Sequence, residues 1–371
     1  MVTLLLLVKT HAAVFWGPGE PFTVEEIDVS EPGTGDVVVR MVAVGICGTD
    51  LHSVRGEFTR PTPMVLGHEG AGVIEVVGDG VRGLAPGDEV VLSWAPSCGE
   101  CGDCRRGRPA ACVPLHRAIG AGTLVDGSTG LSLRGETLYR GTATGCLAER
   151  VVVSERVALP TGGDVPLREA ALLGCAALTG VGAVLFSAGV RAGSSVLVVG
   201  AGGVGQFVVQ GARIAGAETI VVVDPVDGRR EQALRFGATH AFDPAELGGR
   251  MEEVAPDGVD YALDVVGDPA TTELALGLTR SGGTTVIVGL PAVGARLDLD
   301  PAQFNRREKW LTGTMYGSED PAVALPILLE HVRTGRLLLH DLVGPEYALD
   351  RINHAVEAAL AGVPGRVMVT P

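Results

Sequence analysis

The sequence predicts a two-domain α/β protein, on three observations. The chain has 371 residues, which is enough for two domains that each bury a core. Its first half contains short β-branched runs between glycines, a pattern typical of a strand-rich domain. Its second half alternates apolar strands with helical stretches, which indicates a parallel, doubly wound sheet. The composition agrees, with 46% hydrophobic residues, 20% charged residues and 54 glycines.

The elements of the first half can be predicted in chain order. The apolar run Leu4–Val8 favours a first strand over a signal peptide, because no basic segment precedes it and Lys9 and His11 follow it. Further strands are predicted at Val37–Val44, Gly72–Val77, Glu89–Leu92 and Ala148–Val153. The segment Leu115–Arg140 is predicted to be a long polar surface loop. A helix is predicted over Pro166–Leu173 and onward through Ala176–Phe186.

The second half has the alternation that defines the sheet. Apolar strands are predicted at Val196–Val199, Ile220–Val223, Tyr261–Val265 and Thr285–Val288. Helices are predicted between and after them, at Gly203–Ile214, Arg229–Phe236 and Ala322–Arg333, with a last strand at Val367–Thr370. These patterns predict a strand-rich domain over 1–177, a parallel-sheet domain over 178–317 and a return to the first domain over 318–371.

Charge and hydropathy exclude two classes of partner. The formal net charge of −15 argues against nucleic acid and anionic membrane surfaces, which attract positive charge. Apolar stretches stay well below the roughly 18–20 residues of a membrane span. Without an export signal the predicted location is the cytoplasm, where cysteines bind metals more often than they form disulfides.

Four of the seven cysteines lie in one short segment, as Cys98, Cys101, Cys104 and Cys112. Glycines between them let the backbone wrap a metal, and four thiolates close a tetrahedral zinc shell that excludes water. The spacing therefore predicts a structural zinc site. An iron–sulfur cluster and a disulfide pair are the alternatives.

A glycine fingerprint follows the first apolar strand of the second half. Val196–Val199 runs into Gly200, Gly202, Gly203, Val204 and Gly205, which open a helix, and Asp224 ends the next strand. This context predicts a dinucleotide site with its pyrophosphate at the helix N-terminus. Asp224 favours NAD because a carboxylate binds a ribose hydroxyl and repels a 2′-phosphate. Arg229 and Arg230 lie nearby and keep NADP as the alternative.

Three further candidate ligands, Cys47, His68 and Cys175, lie far apart, each beside glycine. Three ligands from distant segments leave a fourth position open, as a catalytic zinc requires. Each alone is equally consistent with a buried structural side chain.

Taken together, these motifs resemble the zinc-dependent alcohol dehydrogenases of the medium-chain dehydrogenase/reductase superfamily. The similarity covers nearly the whole chain. The long Leu115–Arg140 segment and the Asp224-Pro225 pair most resemble the longer members, the class III-like and bacterial nicotinoprotein-like alcohol dehydrogenases. The similarity implies a GroES-like catalytic domain and a Rossmann coenzyme domain. It also implies two zinc ions per chain, with Cys47, His68 and Cys175 binding the catalytic one, and NAD as the cofactor.

The resemblance also implies roles for neighbouring residues. Asp50 and Glu69 support the zinc ligands, unless they are solvated loop residues. The zinc acts as a Lewis acid that lowers the pKa of an alcohol hydroxyl. Thr49 and His52 then carry the proton to solvent; a turn-capping threonine and a surface histidine are the alternatives. Phe58, Trp94, Cys146, Leu290 and Met315 would line the substrate channel, if they are not ordinary core residues.

One position departs from the family pattern. Gly48 stands where many members have a basic residue that holds the pyrophosphate, and Arg366 matches a second family position with that function. The predicted function is zinc-dependent hydride transfer between a primary alcohol or aldehyde and NAD, in a homodimer or a homotetramer. A thiol-adduct formaldehyde dehydrogenase of the glutathione or mycothiol type is the alternative, and a non-catalytic protein of the same fold is a third possibility.

Overall fold

The computed structural model describes residues 8–371. They divide into two compact units, one of residues up to Cys175 with Asp320–Leu329 and Leu339–Pro371, the other of Ala176–Glu319 with Glu330–Leu338. The boundary between the units thus falls within a helix, after Leu329. The sequence had predicted that all of 318–371 belongs to the first unit, but residues 330–338 belong to the second. The predicted strand at Leu4–Val8 lies outside the described residues except for Val8.

The first unit is built mainly from strands. Its strands up to Cys175 are β1 (Val8–Phe15), β2 (Thr23–Val29), β3 (Asp36–Gly45), β4 (Met64–Val65), β5 (Glu69–Val77), β6 (Glu89–Leu92), β7 (Leu131–Leu133), β8 (Glu136–Thr137), β9 (Tyr139–Arg140), β10 (Arg150–Ser154) and β11 (Ala158–Pro160). Its helices there are α1 (Gly48–Val54), α2 (Gly102–Arg105), α3 (Val113–Ala121) and α4 (Leu167–Ala170).

The second unit alternates strands and helices, as the sequence predicts. Its elements are α5 (Ala176–Gly182), β12 (Ser195–Val199), α6 (Gly203–Ala215), β13 (Thr219–Val223), α7 (Asp227–Phe236), β14 (His240–Phe242), α8 (Leu247–Val254), β15 (Val259–Asp264), α9 (Pro269–Leu278), β16 (Thr279–Ile287), α10 (Ala302–Asn305) and β17 (Trp310–Gly313). The chain ends with α11 (Pro321–Arg333), β18 (Val343–Ala348), α12 (Ile352–Leu360) and β19 (Arg366–Thr370).

Two sheets of the first unit enclose its core. Their strand orders are β8-β7-β2-β1-β4-β9 and β11-β6-β5-β3-β19-β18, with β10 also paired to β3. The β3–β5 pair is antiparallel and brings Gly45 opposite Glu69. Strand β19 pairs with the end of β3. The C-terminal strand therefore lies beside the segments that carry Cys47 and His68.

The second unit has one parallel sheet, in the order β14-β13-β12-β15-β16-β17. Its central strands β12 and β13 are apolar and buried on both faces, as expected of a sheet covered by helices. The α/β prediction, with a barrel-like strand-rich unit and a Rossmann-like unit, is confirmed. The strand order reverses at β12, the strand that leads into the glycine fingerprint.

The predicted loop at Leu115–Arg140 is wrong. This segment contains most of helix α3 and all of strands β7 to β9. Several of its apolar side chains are buried, and Leu115 and Leu138 are fully so. The glycines and polar residues obscured an alternation of Leu131 and Leu133 that faces the core.

The predicted continuous helix over 166–186 is interrupted. Helix α4 passes into a 3-10 turn, Ala171–Gly174, and Cys175 then leaves helical geometry with φ −145° and ψ −69°. Helix α5 resumes at once and ends in a π-turn, Ala183–Ala188. Within residues 8–371 no single helix is long and apolar enough to cross a membrane; Leu167–Gly174 with Ala176–Ala188, bent by 51°, passes that test only as a pair.

Candidate metal centres and active site

Cys47, His68 and Cys175 meet at one point in the first unit. Cys47 precedes helix α1, His68 precedes strand β5, and Cys175 occupies the break between α4 and α5. Their ligand atoms all lie within 4.8 Å of one another. All three are buried, His68 almost completely. The structure thus brings together three soft or borderline donors from distant segments.

The donor geometry fits a tetrahedral zinc ion. Two thiolates bound to one zinc at about 2.3 Å each lie about 3.8 Å apart, and the Cys47 and Cys175 Sγ atoms are 4.0 Å apart. The His68 Nδ1 atom lies 3.3 Å from Asp50 Oδ1, which leaves Nε2 as the nitrogen available to a metal. The three donors occupy three corners, so the fourth is open to a substrate oxygen.

The two thiols hold their protons unequally. The hydrogen bond from Cys175 lowers the pKa of Cys47 well below its ordinary value. Burial raises this pKa, but the positive charges of His68 and Arg366 lower it further. The same contact, with burial, raises the pKa of Cys175. Cys47 is therefore ready to bind a cation as a thiolate, and binding through Cys175 releases a proton.

Asp50 fixes the relative positions of two ligand segments. Its Oδ2 accepts the backbone N–H of Cys47 at 3.0 Å, and its Oδ1 accepts that of Gly67 at 3.2 Å. Since the carboxylate also faces His68, it orients the imidazole ring. The geometry excludes the alternative of a solvated loop residue, because Asp50 is buried.

Glu69 and Arg366 form a buried ion pair behind these ligands. Arg366 Nε donates to Glu69 Oε1 at 2.9 Å, and its Nη1 donates to the Ile46 carbonyl at 3.2 Å. Burial raises the pKa of Glu69 to about 7, although Arg366 opposes this. Arg366 Nη2 is buried and has no hydrogen-bond partner among the described residues.

The predicted relay residues lie on helix α1. Thr49 follows Cys47 by two residues, and its Oγ1 is 3.9 Å from the Cys47 sulfur. His52, one turn later, has a quarter of its side chain exposed. Its Nδ1 contacts the Glu57 carboxylate, and its ring lies 5.1 Å from that of Phe58. Sequence reasoning missed Glu57.

The four clustered cysteines also converge. Their sulfurs lie within 4.8 Å of one another, with 3.5 Å between Cys101 and Cys104 and 3.9 Å between Cys98 and Cys104. All seven cysteines are free thiols, so the disulfide alternative is wrong. Backbone N–H groups, foremost that of Cys104, lower the pKa of Cys101 to about 6. Such amide donors stabilise thiolates, and the set fits a closed Cys₄ zinc shell.

The glycine fingerprint forms the turn from β12 to α6. Gly200 has a φ of +92°, which favours glycine. A Cβ on Gly205 would lie only 2.0 Å from the Gly200 carbonyl oxygen, whereas one on Gly202 would meet no atom within 4 Å. Gly205 thus allows helix and strand to pack closely, and Gly202 faces open space where a pyrophosphate fits.

Asp224 lies at the end of β13, 3% exposed. Its Oδ2 accepts the N–H of Ala201 at 2.8 Å and its Oδ1 that of Val226 at 2.9 Å. Arg229 Nη1 is 3.8 Å from the same carboxylate. Asp224 therefore fixes the fingerprint turn, while each carboxylate oxygen keeps a further lone pair. Arg230 donates to the backbone carbonyl of Asp224 at 2.6 Å and contacts the carboxylates of Asp227 and Asp243.

Sequence comparisons identify the family. The profile of the alcohol dehydrogenase GroES-like domain matches residues 33–163, and that of zinc-binding dehydrogenases matches 203–330. Alcohol dehydrogenase B of Mycobacterium tuberculosis (strain ATCC 25618 / H37Rv) is 36% identical over 361 residues, 96% of each chain. The chain belongs to the zinc-dependent alcohol dehydrogenases. It is therefore a zinc-dependent oxidoreductase that acts on alcohols or aldehydes with a nicotinamide cofactor.

Solved structures agree with this assignment. An alcohol dehydrogenase zinc-binding domain protein from Burkholderia ambifaria superposes on the dehydrogenase with a TM-score of 0.93 at 36% identity, covering 98% of this chain and 99% of that one. Benzyl alcohol dehydrogenase from Acinetobacter calcoaceticus gives 0.92 at 30% identity, with the same coverage.

The predicted channel residues of the dehydrogenase are divided between the units. Phe58, Trp94 and Cys146 belong to the first, and Leu290 and Met315 to the second. The Trp94 indole stands edge-on to the His68 ring, with 6.2 Å between centroids. Cys146 is fully buried in the core, where a Cβ on Gly70 would lie 3.0 Å from its sulfur, so its environment favours the packing alternative. Leu290 is half exposed.

Proposed function

We propose that the dehydrogenase interconverts a primary alcohol and its aldehyde, with NAD as the hydride acceptor and zinc bound by Cys47, His68 and Cys175. The observation that carries this proposal is the buried cluster of three donors, since a tetrahedral zinc with three protein ligands keeps one position for a substrate oxygen. When bound, zinc acts as a Lewis acid toward the alcohol oxygen, and NAD takes the hydride. The first unit is then the catalytic domain and the second the coenzyme domain.

The chain's own residues orient the ligands and remove the proton. Asp50 holds His68 and the backbone of Cys47. Thr49 accepts the hydrogen bond of the alcohol hydroxyl, and His52 passes the proton to solvent. Its partial exposure is what this last step needs.

For the cofactor we propose NAD over NADP. Asp224 brings a buried negative charge to the position of the adenosine ribose, where it binds a hydroxyl and repels a phosphate. Gly202 gives the pyrophosphate room.

The second zinc is proposed to be structural. Cys98, Cys101, Cys104 and Cys112 fill all four corners, so no position is left for a substrate. Its removal is expected to loosen the segment over 98–112. The catalytic ligands belong to other segments of the chain.

The bulky Trp94 beside His68 favours slim primary alcohols, among which aromatic alcohols are suggested by the similarity to benzyl alcohol dehydrogenase. The test is a panel of alcohols and aldehydes with NAD and NADP, with and without glutathione or mycothiol, followed by absorbance of the reduced nicotinamide. Turnover with NAD that needs no thiol supports the proposal. Turnover of formaldehyde only with a thiol would establish the alternative, a thiol-adduct formaldehyde dehydrogenase.

A homodimer is proposed through the edge strand β17 of the parallel sheet. Trp310 on this strand is 68% exposed, and an unpaired edge with a large apolar side chain is a site for strand pairing. Sedimentation should give twice the mass of the chain, and Trp310→Lys should lower it. A fourfold mass would indicate a homotetramer.

A further inference from the structure

Helix α1 ends in a backbone motif that places Glu57 beside His52. The N–H of Gly56 bonds to the Ser53 carbonyl at 3.0 Å, and the N–H of Glu57 bonds to the His52 carbonyl at 2.9 Å. Gly56 has a φ of +73°. These two bonds and the left-handed glycine form a Schellman motif, in which the residue after the glycine lies against the residue five or six positions earlier.

A hydrophobic pair usually occupies these two positions, but here they hold a histidine and a carboxylate. The Glu57 carboxylate contacts His52 Nδ1. The Phe58 ring covers one side of the imidazole, and Arg60 lies over the Phe58 ring at 5.4 Å. In the described part of the chain His52 Nε2 makes no hydrogen bond, so it is the ring nitrogen left for a proton transfer.

The carboxylate has no evident structural reason to be there. The helix end is already capped by backbone N–H groups, so capping does not require the Glu57 side chain. A negative charge at a helix C-terminus is moreover unfavourable, because the helix dipole is negative at that end. His52 is the polar partner that the described contacts give this carboxylate.

We propose that Glu57 is a positioning residue for the proton relay, an inference that rests on the proposed function. Its carboxylate accepts the Nδ1–H bond of neutral His52 and so keeps the lone pair on Nε2. Nε2 then accepts the proton that leaves the alcohol by way of Thr49, forming a second N–H bond, and releases it to water. While His52 carries both protons, the carboxylate stabilises the positive charge, as the aspartate does in a Ser-His-Asp triad.

The first test reads the tautomer directly. The enzyme with its bound zinc and NAD is labelled with ¹⁵N-histidine, and the His52 ring signals are assigned as those missing from His52→Gln. At a pH where the ring is neutral, the wild type should show the Nδ1–H form. Glu57→Ala should shift the signals toward the Nε2–H form, whereas Glu57→Gln, whose amide oxygen also accepts a hydrogen bond, should retain the Nδ1–H form.

The second test is kinetic. We expect Glu57→Ala to lower kcat about tenfold, less than the 10²–10⁴-fold of a complete general base, with an unchanged KM for the alcohol. Glu57→Gln should fall between this variant and the wild type. In a His52→Gln background Glu57→Ala should cost nothing more, because Glu57 acts through His52. Glu169→Ala is the matched control, since it removes another carboxylate–histidine contact, with His340, and should leave kcat unchanged.

The outcomes separate this inference from the proposed function. If His52→Gln turns over like the wild type, the relay is wrong, and the tautomer of Glu57→Ala still decides whether Glu57 positions the ring. If His52→Gln is slow while Glu57→Ala keeps both the Nδ1–H tautomer and the wild-type kcat, the inference about Glu57 is overturned. A loss in Glu57→Ala that persists in the His52→Gln background would overturn it as well.

Discussion

Replacing Gly205 by alanine should damage the second unit and its cofactor site together. The new Cβ would lie 2.0 Å from the Gly200 carbonyl oxygen and 2.9 Å from the carbonyl carbon. Both distances are shorter than 3.0 Å, a separation below which Cβ atoms in proteins essentially never approach another heavy atom. Gly200 cannot easily give way. Its N–H is bonded to the Val223 carbonyl at 2.8 Å, so the turn is tied to strand β13.

The magnitude follows from two opposing effects. Forcing an extra carbon into a packed contact costs about 1–3 kcal/mol, at the upper end when the atom met is backbone. Alanine in a helix recovers up to about 1 kcal/mol relative to glycine. The net loss of unfolding free energy is therefore about 1–2 kcal/mol, roughly a 5–30-fold change in the folded-to-unfolded ratio. NADH affinity should fall too, because the helix N-terminus moves away from the pyrophosphate.

Two matched variants separate packing from ligand contact. Gly202→Ala meets no protein atom within 4 Å, so it should change stability by less than about 1 kcal/mol. It should nevertheless weaken NADH binding about tenfold or more, since the methyl group occupies the ligand's space. Gly249→Ala, in helix α8 and equally open, should raise stability by up to about 1 kcal/mol and leave binding unchanged.

Urea unfolding and NADH fluorescence titration measure the two quantities on the same samples. If Gly205→Ala is as stable as the wild type, the close approach at Gly200 is not the constraint described. If Gly202→Ala binds NADH normally, the open space is not the pyrophosphate site.

Three further predictions concern the first unit and the sheet. Cys104→Ser should lose one zinc per chain by elemental analysis and unfold at a lower temperature, and an unchanged zinc content would refute the closed site. Thr49→Ala should lower kcat about 100-fold while Thr49→Ser retains most of it; equal rates for the two variants would remove the hydroxyl from the relay. Burial raises the pKa of Asp260, but hydrogen bonds from Ser195 and Arg280 outweigh it and lower that pKa. The ionised carboxylate therefore stabilises the fold above about pH 3.8, and this stabilisation is lost as the pH falls below that value. Asp260→Asn should thus cost about 2 kcal/mol in urea unfolding at pH 7 and clearly less at pH 3, and a cost independent of pH would contradict this.

Much of the fold was predictable because local patterns and tertiary packing agree. The apolar run Val196–Val199 and its glycines can form only a buried strand and a tight turn. The loop prediction for Leu115–Arg140 failed because the core-facing leucines of this segment are separated by glycine and polar residues. Their burial therefore depends on strands that are distant in sequence. The break at Cys175 was equally hidden, since nothing in an apolar helical run marks the one residue that leaves it.

The site was predictable in its ligands and less so in their surroundings. Spacing and resemblance named the donors that the structure brings together. Glu57 carried a signal that was not used, a glycine four residues after His52 that ends the helix and turns the next side chain back.

The central claim is that one chain holds a closed and an open zinc site with different functions. Its most direct test is the zinc content of the purified wild type, Cys104→Ser and Cys175→Ser, measured with turnover of an alcohol by NAD. The wild type should hold about two zinc ions per chain and each variant about one, with turnover abolished in Cys175→Ser. One zinc or fewer in the wild type, or full turnover in Cys175→Ser, would contradict this claim.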